Sequence, residues 1–304
     1  MTRVAVTARS FRATPGPHLD ALQASGFEVV TPEAPGPLSA PEMVALVQGC
    51  EGLICGVDDV TADVIAAGPL RAIVRVGAGL DNVDLAAAES LGCGVENTAG
   101  ANARSVAELT IGLMIALARR IVEHHQEVSH GGWARHPGTE LEGKRLGVVG
   151  LGAVGRLVVR SATCLGMEVV ATDPFVEDAD VPLLDLEEIL GSCDVVTLHA
   201  PLTEQTKGLL DDERIGLMKQ GALLINTARG EIVDEDALLQ HLRNGHLGGA
   251  ALDSFASEPP DPGRFRNVPN VILSPHAGAA TTEATVRAGA LAVERLVALL
   301  ETQR

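Results

Sequence analysis

The sequence of 304 residues predicts an α/β fold, in which helices cover mainly parallel β-sheets. Three observations support this prediction. Short apolar runs that suit buried strands alternate with helix-compatible segments along most of the chain. A glycine-rich turn lies between one such strand and the following helix, within residues 146–173. The hydrophobic content of 46% with 33 glycines is typical of a globular protein, and the length suggests about two domains.

The first part of the chain, up to about residue 97, follows this alternation. Its candidate strands are residues 4–7, 28–30, 53–55, 73–76 and 95–97. Its candidate helices are residues 19–24, 41–47, 62–67 and 85–91. The pattern predicts a parallel sheet covered by helices, without a phosphate-binding turn of its own.

A long helix candidate, residues 105–121, connects the two parts of the chain. Its apolar side chains recur at helical spacing. They are Val106, Leu109, Leu113, Leu117 and Ile121. The polar segment 124–144 then shows no clear periodicity and is too long for an ordinary compact loop. We interpret it as a docking arm or interface, and a partly disordered loop is the alternative.

The second part of the chain contains six candidate strands. They are residues 146–149, 167–172, 194–198, 222–226, 249–252 and 271–274. Six such strands with intervening helices predict a complete doubly wound dinucleotide-binding domain. The last helix candidate, residues 281–300, extends past this domain and is predicted to pack on the first part. The predicted domains are therefore residues 1–98 with 284–304, and residues 99–283.

The glycine-rich turn reads Gly150-Leu-Gly152-Ala-Val-Gly155, which is the G-x-G-x-x-G pattern of a dinucleotide-binding turn. Gly150 permits the tight turn, Gly152 lets the backbone approach a pyrophosphate, and Gly155 lets the helix pack closely on the strand. The helix N-terminus, which includes Ala153 and Val154, would offer free N–H groups to the phosphates.

Asp173 ends the next predicted strand, 18 residues beyond Gly155. This is near the spacing of about 20 residues at which an acid binds the adenosine ribose of a dinucleotide. A carboxylate there accepts hydrogen bonds from the ribose hydroxyls and repels a 2′-phosphate. Strand, turn, helix, strand and acid together predict a Rossmann domain that binds NAD rather than NADP.

Candidate catalytic side chains follow the late strands, at the edge of the sheet where doubly wound proteins bind ligands. They are Arg229, Asp253, Glu258 and His276. Oxidation of a 2-hydroxy acid requires a base, a cation for the carboxylate and a hydride acceptor. Histidine suits the base because its unperturbed pKa is about 6.5, a nearby Glu would orient the ring, and arginine offers a planar fork to a carboxylate. Taken singly, Arg229, Glu258 and His276 could instead be a surface charge, a turn acid and a strand-end cap.

Five segments together form a recognisable order of motifs. They are residues 74–84 (VRVGAGLDNVD), 150–155, 226–230 (NTARG), 251–253 (ALD) with Glu258 and Pro259, and 274–276 (SPH). In this order the chain resembles the D-isomer-specific 2-hydroxyacid dehydrogenase family. The resemblance implies a flavodoxin-like substrate domain and a Rossmann NAD domain around a cleft, and a homodimer formed through the NAD domain. It also implies that Arg229 and His276 act on the substrate, while Glu258 pairs with His276.

The glycine pattern and the resemblance together assign further site residues. The expected substrate-binding residues are Arg75, Val76, Gly77, Ala78 and Asn102, with the backbone N–H groups around 76–78 holding the substrate carboxylate. The expected cofactor-binding residues are Gly150, Gly152, Ala153, Val154, Gly155, Asp173, Ala200, Pro201, Thr227, Ala228, Arg229, Asp253, His276 and Gly278. Asp253 would meet the nicotinamide carboxamide, whereas Ala200 and Pro201 could equally form a structural turn.

One loop departs from the family pattern and leaves two classes of substrate. Family members that act on 3-phosphoglycerate, which the motifs resemble most, carry an arginine shortly after the strand matched here by residues 53–55. This chain has Gly-Val-Asp-Asp at residues 56–59, and two acids are unfavourable beside a phosphate. Arg75 and Arg135 are the alternative phosphate contacts. Without such a contact, the substrate is hydroxypyruvate, glyoxylate or another unphosphorylated 2-oxo acid.

Other functions are weighed against this one. A formate-type oxidation is disfavoured, because the resemblance gives formate enzymes a Gln where this chain has Glu258. An NAD(H)-sensing binding protein on the same fold is the alternative from another class, although such proteins tend to carry longer interaction tails. We also expect a short form without the C-terminal regulatory domain of longer family members.

Composition and charge limit the partners. The net charge of −17 argues against nucleic acid and anionic membranes, and leaves a small-molecule substrate. The N-terminus has no apolar signal core, and no window has the roughly 18 apolar residues of a membrane span, so we expect a cytoplasmic protein. The cysteines are expected as reduced core residues: Cys50, Cys55, Cys93, Cys164 and Cys193. The nine histidines lack the spacing of metal ligands, so no metal is expected.

Overall fold

The computed structural model describes residues 1–33 and 37–302, in two compact units. Unit 1 comprises Met1–Asn102 and Ala279–Arg304, and unit 2 comprises Ala103–Gly278. Each unit contains one parallel sheet with helices. The predicted fold class, two parallel-sheet α/β domains, is therefore confirmed.

Unit 1 is built on a five-stranded sheet. Its strands are β1 (Arg3–Val6), β2 (Glu28–Val30), β3 (Gly52–Cys55), β4 (Ala72–Arg75) and β5 (Gly94–Asn97). Their spatial order, β2-β1-β3-β4-β5, is the flavodoxin-like order. Because β1, β3 and β4 lie inside the sheet, their side chains are almost all buried, as a parallel sheet covered on both faces requires.

Helices cover this sheet, and one of them comes from the C-terminal part of the chain. The helices described in unit 1 are α1 (Arg9–Ala13), α2 (Pro17–Ala24), α3 (Ala40–Val47), α4 (Ala62–Ala66), α5 (Leu85–Ser90) and α12 (Thr282–Thr302). Every fourth residue of α12 is buried: Ala288, Ala292, Leu296 and Leu300. Ala292, Leu296 and Leu300 pack in one core with side chains of β1, β3 and β4, which makes unit 1 discontinuous in sequence.

Unit 2 is built on a six-stranded sheet. Its strands are β6 (Arg145–Val149), β7 (Glu168–Thr172), β8 (Val195–Leu198), β9 (Leu223–Asn226), β10 (Gly249–Leu252) and β11 (Val271–Leu273). The spatial order is β11-β10-β9-β8-β6-β7. An isolated parallel bridge between Ala171 and Leu183 adds a further, minimal strand beside β7. With this strand included, the strand order around β6 is that of a Rossmann domain. The order reverses between β6 and β8, which are parallel neighbours.

The helices of unit 2 include one that the sequence pattern does not reveal. They are α6 (Ala103–Ala118), α7 (Ile121–Ser129), α8 (Ala153–Cys164), α9 (Leu186–Ser192), α10 (Asp212–Leu217) and α11 (Glu235–Arg243). The helix predicted for residues 105–121 is wrong at its end, because Arg120 has a left-handed φ of 53° and a second helix starts there. α7 occupies part of the polar segment 124–144. It contains no buried residue, so it has no apolar stripe to predict it.

The cysteines match the expectation with one exception. Cys50, Cys55, Cys93 and Cys193 are buried and free, whereas Cys164 is exposed at the end of α8. The expectation that all five are core residues is therefore wrong for Cys164. Burial raises the pKa of Cys55 to about 12, which keeps this thiol protonated and unreactive. Within residues 1–33 and 37–302, no helix has the length and apolar character that a bilayer crossing requires.

Candidate active site

The glycine-rich turn is closely packed on one side and open on the other. Gly150 has a φ of 98°, and a Cβ on it would lie 2.7 Å from the nitrogen of Ala200. A Cβ on Gly155 would lie 2.0 Å from the carbonyl oxygen of Gly150. At Gly152, the N-cap of α8, no described atom lies within 4 Å of the Cβ position. The open space at a helix N-terminus fits the pyrophosphate of a dinucleotide.

Asp173 directly follows β7 and connects it to the turn. One carboxylate oxygen accepts a hydrogen bond from the N–H of Leu151 at 2.8 Å. The other accepts one from the N–H of Phe175 at 3.0 Å. Because a carboxylate has about four acceptor positions, both oxygens can also accept ribose hydroxyls. Asp173 therefore lies where the NAD expectation requires an acid.

A cavity of about 560 Å³ opens beside the turn, where the strand order reverses. Its lining includes five residues expected to bind the cofactor, namely Gly150, Gly152, Asp173, Ala200 and Pro201. Leu186 and Leu209 contribute apolar wall. A mainly apolar cavity of this size with a carboxylate at its edge fits the adenosine half of NAD.

His199 lies between the cavity and the turn. Its backbone N–H donates to the carbonyl of Val149 at 2.7 Å, and its ring Nε2 lies 3.0 Å from the hydroxyl of Thr197. Burial lowers the pKa of His199 to about 3, so the imidazole is neutral at physiological pH. In the sequence, His199 precedes Ala200 and Pro201 directly after a predicted strand, where it could border the cofactor or belong to a structural turn, and in the structure it lines the cavity.

Glu258 and His276 form a hydrogen-bonded pair. Nδ1 of His276 lies 2.8 and 3.0 Å from the two carboxylate oxygens of Glu258. One of these oxygens also accepts a hydrogen bond from the N–H of Phe255 at 3.1 Å. About half of the His276 side chain is exposed. Because Nδ1 faces the carboxylate, Nε2 is the nitrogen that can exchange a proton with a substrate.

Asp253 fixes the segment that carries His276. It is buried after β10, and its two oxygens accept hydrogen bonds from the N–H groups of Ala277 and Gly278, each at 2.8 Å. These contacts hold the backbone directly after His276, which itself has a left-handed φ of 51°. The expected contact with a nicotinamide carboxamide is compatible with the lone pairs that remain. This support of His276 is a role that the sequence pattern did not reveal.

Asn226, the buried last residue of β9, holds the loop that carries Arg229. The side-chain amide of Asn226 donates to the carbonyl of Arg229 at 2.8 Å, and its oxygen accepts the N–H of Ala228 at 3.0 Å. A Cβ on Gly230 would lie 1.9 Å from the backbone of Phe255, so this loop packs directly on the loop that leads to Glu258. Unit 2 thus supports each of the predicted catalytic residues through contacts to its own loop or to the loop beside it.

Thr227 is partly buried and contacts helix α6. Its hydroxyl lies 2.9 Å from that of Thr110, which also donates to the carbonyl of Val106 at 2.8 Å. A Cβ on Gly278 would lie 3.2 Å from Val106. The expected cofactor residues Thr227 and Gly278 therefore line the side of the sheet where α6 packs.

In unit 1, two of the N–H groups expected to hold a substrate carboxylate already have protein acceptors. The N–H of Val76 donates to the carbonyl of Cys55 at 2.8 Å. The N–H of Gly77 donates to the hydroxyl of Thr98 at 2.7 Å. Both N–H groups are thus satisfied within unit 1 in this structure. A carboxylate would have to replace these acceptors.

Arg75 lies beside the loop of residues 76–78 in unit 1, whereas Arg135, the other proposed phosphate contact, belongs to unit 2. A Cβ on Gly77, which has a φ of 134°, would lie 1.6 Å from Nη1 of Arg75, so only glycine allows the guanidinium to rest there. Arg135 is exposed in the polar segment of unit 2. Asn102 is the last residue of the first segment of unit 1.

The loop of residues 56–59 has no cation, and its two acids differ. Asp58 is buried and accepts hydrogen bonds from the hydroxyl of Thr7 at 2.6 Å and the N–H of Leu38 at 2.9 Å. Asp59 is exposed, and so is Val57. Asp58 therefore supports the loop, while Asp59 and Val57 are its accessible side chains.

Comparison with known proteins places this geometry in a family. Residues 111–278 match the sequence model of the D-isomer specific 2-hydroxyacid dehydrogenase, NAD binding domain. The chain belongs to the D-isomer specific 2-hydroxyacid dehydrogenase family. This match confirms the resemblance found in the sequence and the expectation of an NAD-binding domain.

Two curated relatives and one solved structure illustrate the similarity. The chain is 45% identical over 277 residues to D-3-phosphoglycerate dehydrogenase of Rattus norvegicus, covering 88% of this chain and 51% of the relative. It is 42% identical over 245 residues to hydroxypyruvate reductase of Thermotoga maritima, covering 78% of this chain and 80% of the relative. A solved structure of a protein from Thermus thermophilus is 40% identical, with a TM-score of 0.91 over 99% of this chain and 97% of that one. The chain spans about half the length of the phosphoglycerate dehydrogenases that it matches.

Proposed function

We propose that this protein is an NAD-dependent dehydrogenase that interconverts a D-2-hydroxy acid and the corresponding 2-oxo acid. In this proposal unit 2 binds NAD and unit 1 binds the substrate. The observation that carries the proposal is the Glu258–His276 pair, held by Asp253 on the same sheet that carries the glycine-rich turn. An acid–base pair and a dinucleotide turn in one Rossmann unit are the parts that hydride transfer at an alcohol carbon requires.

NAD, held by the glycine-rich turn and Asp173, would supply the acceptor for the hydride that leaves C2 of the hydroxy acid. His276 takes the proton of the C2 hydroxyl at Nε2, so that the substrate loses a hydride and a proton and becomes the 2-oxo acid. The Glu258 carboxylate at Nδ1 stabilises the positive charge that the ring then carries. Arg229 binds the substrate carboxylate and polarises the C2 oxygen. In the reducing direction His276 returns the proton.

The first candidate substrate is 3-phosphoglycerate. The order of motifs in the chain and the identity to the rat enzyme support it. Arg75, whose guanidinium rests on the backbone of Gly77 in unit 1, is the cation that would contact the phosphate. The exposed Arg135 of the polar segment is the second such cation.

Unphosphorylated acids such as hydroxypyruvate or glyoxylate are the second candidate. The loop of residues 56–59 supports them, because it presents Asp59 and Val57 where an arginine would assist a phosphate. The identity to the hydroxypyruvate reductase of Thermotoga maritima agrees with this candidate.

Initial rates of NADH oxidation with phosphohydroxypyruvate, hydroxypyruvate and glyoxylate, at matched concentrations, test the proposal and decide between the substrates. A preference of 10²-fold or more for the phosphorylated acid, roughly 2.7 kcal/mol, supports phosphoglycerate. A preference for the other two acids supports the second candidate. Tight NADH binding without turnover of any 2-oxo acid would contradict the proposal and favour an NAD(H)-sensing protein.

The protein is also proposed to form a homodimer through unit 2. Apolar side chains of residues 121–133 are exposed: Ile121, Val122, Val128 and Trp133. Trp133 is 77% exposed, and a cluster of this kind favours contact with a second copy. Sedimentation of the wild type and of Trp133→Ser tests this proposal, with a dimer expected only for the wild type at low micromolar concentration.

We propose a cytoplasmic location, which suits the four buried free thiols.

A further inference from the structure

Phe175 has an unusual position for a large apolar side chain. It is 92% exposed, yet it lines the cavity of about 560 Å³ beside the glycine-rich turn. The other four phenylalanines are buried or partly buried. A folded protein leaves an aromatic ring in water at a cavity mouth at a cost in free energy, and a ligand that covers the ring recovers that cost.

A short turn holds Phe175 in place. The N–H of Val176 donates to the carbonyl of Asp173 at 3.3 Å, which closes a turn with Asp173 first, Pro174 second and Phe175 third. Aspartate and proline are favoured at the first two positions of such turns. The Asp173 carboxylate also accepts the N–H of Phe175 at 3.0 Å. The backbone of Phe175 is thus fixed before any ligand binds, which reduces the entropy lost on binding.

The neighbours of Phe175 identify the chemistry of the ligand that covers it. Asp173 is the acid that accepts ribose hydroxyls in the proposed NAD site. Pro201 and Leu209 line the same cavity with apolar surface. A flat aromatic base attached to that ribose would therefore lie against apolar wall on one side and have the Phe175 ring within reach on the other.

We propose that Phe175 stacks on the adenine of the bound dinucleotide and closes the adenine side of the cavity. This inference rests on the proposed function, since it assumes that the cavity takes the adenosine half of NAD. It assigns Asp173 two tasks, because the same carboxylate binds the ribose and fixes the backbone of the residue that covers the base. Phe175 acts on affinity for the adenosine half and does not touch the reacting atoms.

The test compares ligands that contain adenine with one that does not. Dissociation constants are measured by calorimetry for AMP, NADH and reduced nicotinamide mononucleotide, with the wild type, Phe175→Ala and Phe175→Tyr. We expect Phe175→Ala to raise the dissociation constants of AMP and NADH by the same factor, about tenfold, as loss of one aromatic–base stack implies. The dissociation constant of the mononucleotide should not change, and Phe175→Tyr should bind AMP and NADH as tightly as the wild type.

Leu217→Ala is the matched control, since Leu217 is an exposed apolar residue on α10, outside the cavity lining. It should leave all three constants unchanged, and thermal unfolding should show all variants folded. Unchanged AMP affinity in Phe175→Ala, or equal weakening of the mononucleotide, would overturn the inference. A wild type that binds AMP but not NADH would instead contradict the proposed function, and the AMP constants would still test Phe175.

Discussion

Both carboxylate oxygens of Glu258 lie within 3.0 Å of Nδ1 of His276. This contact fixes the ring and leaves Nε2 as the nitrogen for proton exchange. In the proposed mechanism, it also places a negative charge beside the ring that becomes positively charged when His276 takes a proton. The pair therefore supplies orientation and charge stabilisation together.

Replacing Glu258 tests the charge part of this account. Glu258→Gln keeps the size of the side chain and can still accept a hydrogen bond from Nδ1, but it removes the negative charge. We expect turnover to fall by about tenfold or more, since a protonated ring loses its charged partner. Steady-state rates with a 2-hydroxy acid and NAD measure this effect. Unchanged turnover would mean that Glu258 only positions the ring.

Asp253→Asn tests whether the buried acid holds the His276 segment. Asn has one acceptor oxygen, so either the N–H of Ala277 or that of Gly278 loses its partner. A buried unsatisfied N–H costs about 1–3 kcal/mol, and we expect the free energy of unfolding in urea to fall by this amount and turnover to fall with it. Asp261→Asn is the control, because Asp261 is exposed and its carboxylate accepts the N–H of Gly263 in an exposed turn. Equal stability of both variants would contradict the role.

The partly buried His199 gives the stability of the protein a pH dependence. Its pKa is lowered by burial to about 3 in the folded state and is about 6.5 in the unfolded chain. Between these values the unfolded chain binds one proton more, so stability is lost as the pH falls from 6.5. From pH 6.5 to 4.5 the wild type should lose about 2 kcal/mol more than His199→Gln in urea unfolding. Equal losses would show that His199 is protonated in the folded state.

Asp173→Ser tests the choice of cofactor. Removing the carboxylate removes the repulsion of a 2′-phosphate and one acceptor of the ribose hydroxyls. We expect the ratio of the NADPH to the NADH dissociation constant to fall at least about tenfold, measured by NAD(P)H fluorescence. Asp178→Ser, at an exposed acid in the following segment, should leave the ratio unchanged.

The inner strands of both sheets could be predicted from the sequence because they are buried on both faces. Apolar runs such as the one at residues 146–149 coincide with strands to within one residue. The helix α7 could not be predicted in this way, since none of its residues is buried. The left-handed conformation of Arg120 could not be predicted either, because no glycine or asparagine marks it in the sequence.

The candidate site likewise contains residues that the sequence predicts and contacts that it does not predict. Arg229, Glu258 and His276 could be proposed from the sequence because each follows a predicted strand, at the edge of the sheet where ligands bind. The supports of these residues could not, because Asn226 and Asp253 act through hydrogen bonds to backbone atoms that only the fold brings near. For the same reason, the use of the Gly77 N–H by Thr98 has no signature in the sequence.

His276→Ala tests the central claim most directly. Single-turnover reduction of the preferred 2-oxo acid by bound NADH is compared between this variant and the wild type, and the NADH dissociation constant is measured in parallel. We expect a rate at least roughly 10²-fold lower, the lower limit for loss of a positioned acid–base group, with NADH affinity unchanged. A rate near that of the wild type, with NADH bound equally well, would contradict the assignment of proton transfer to His276.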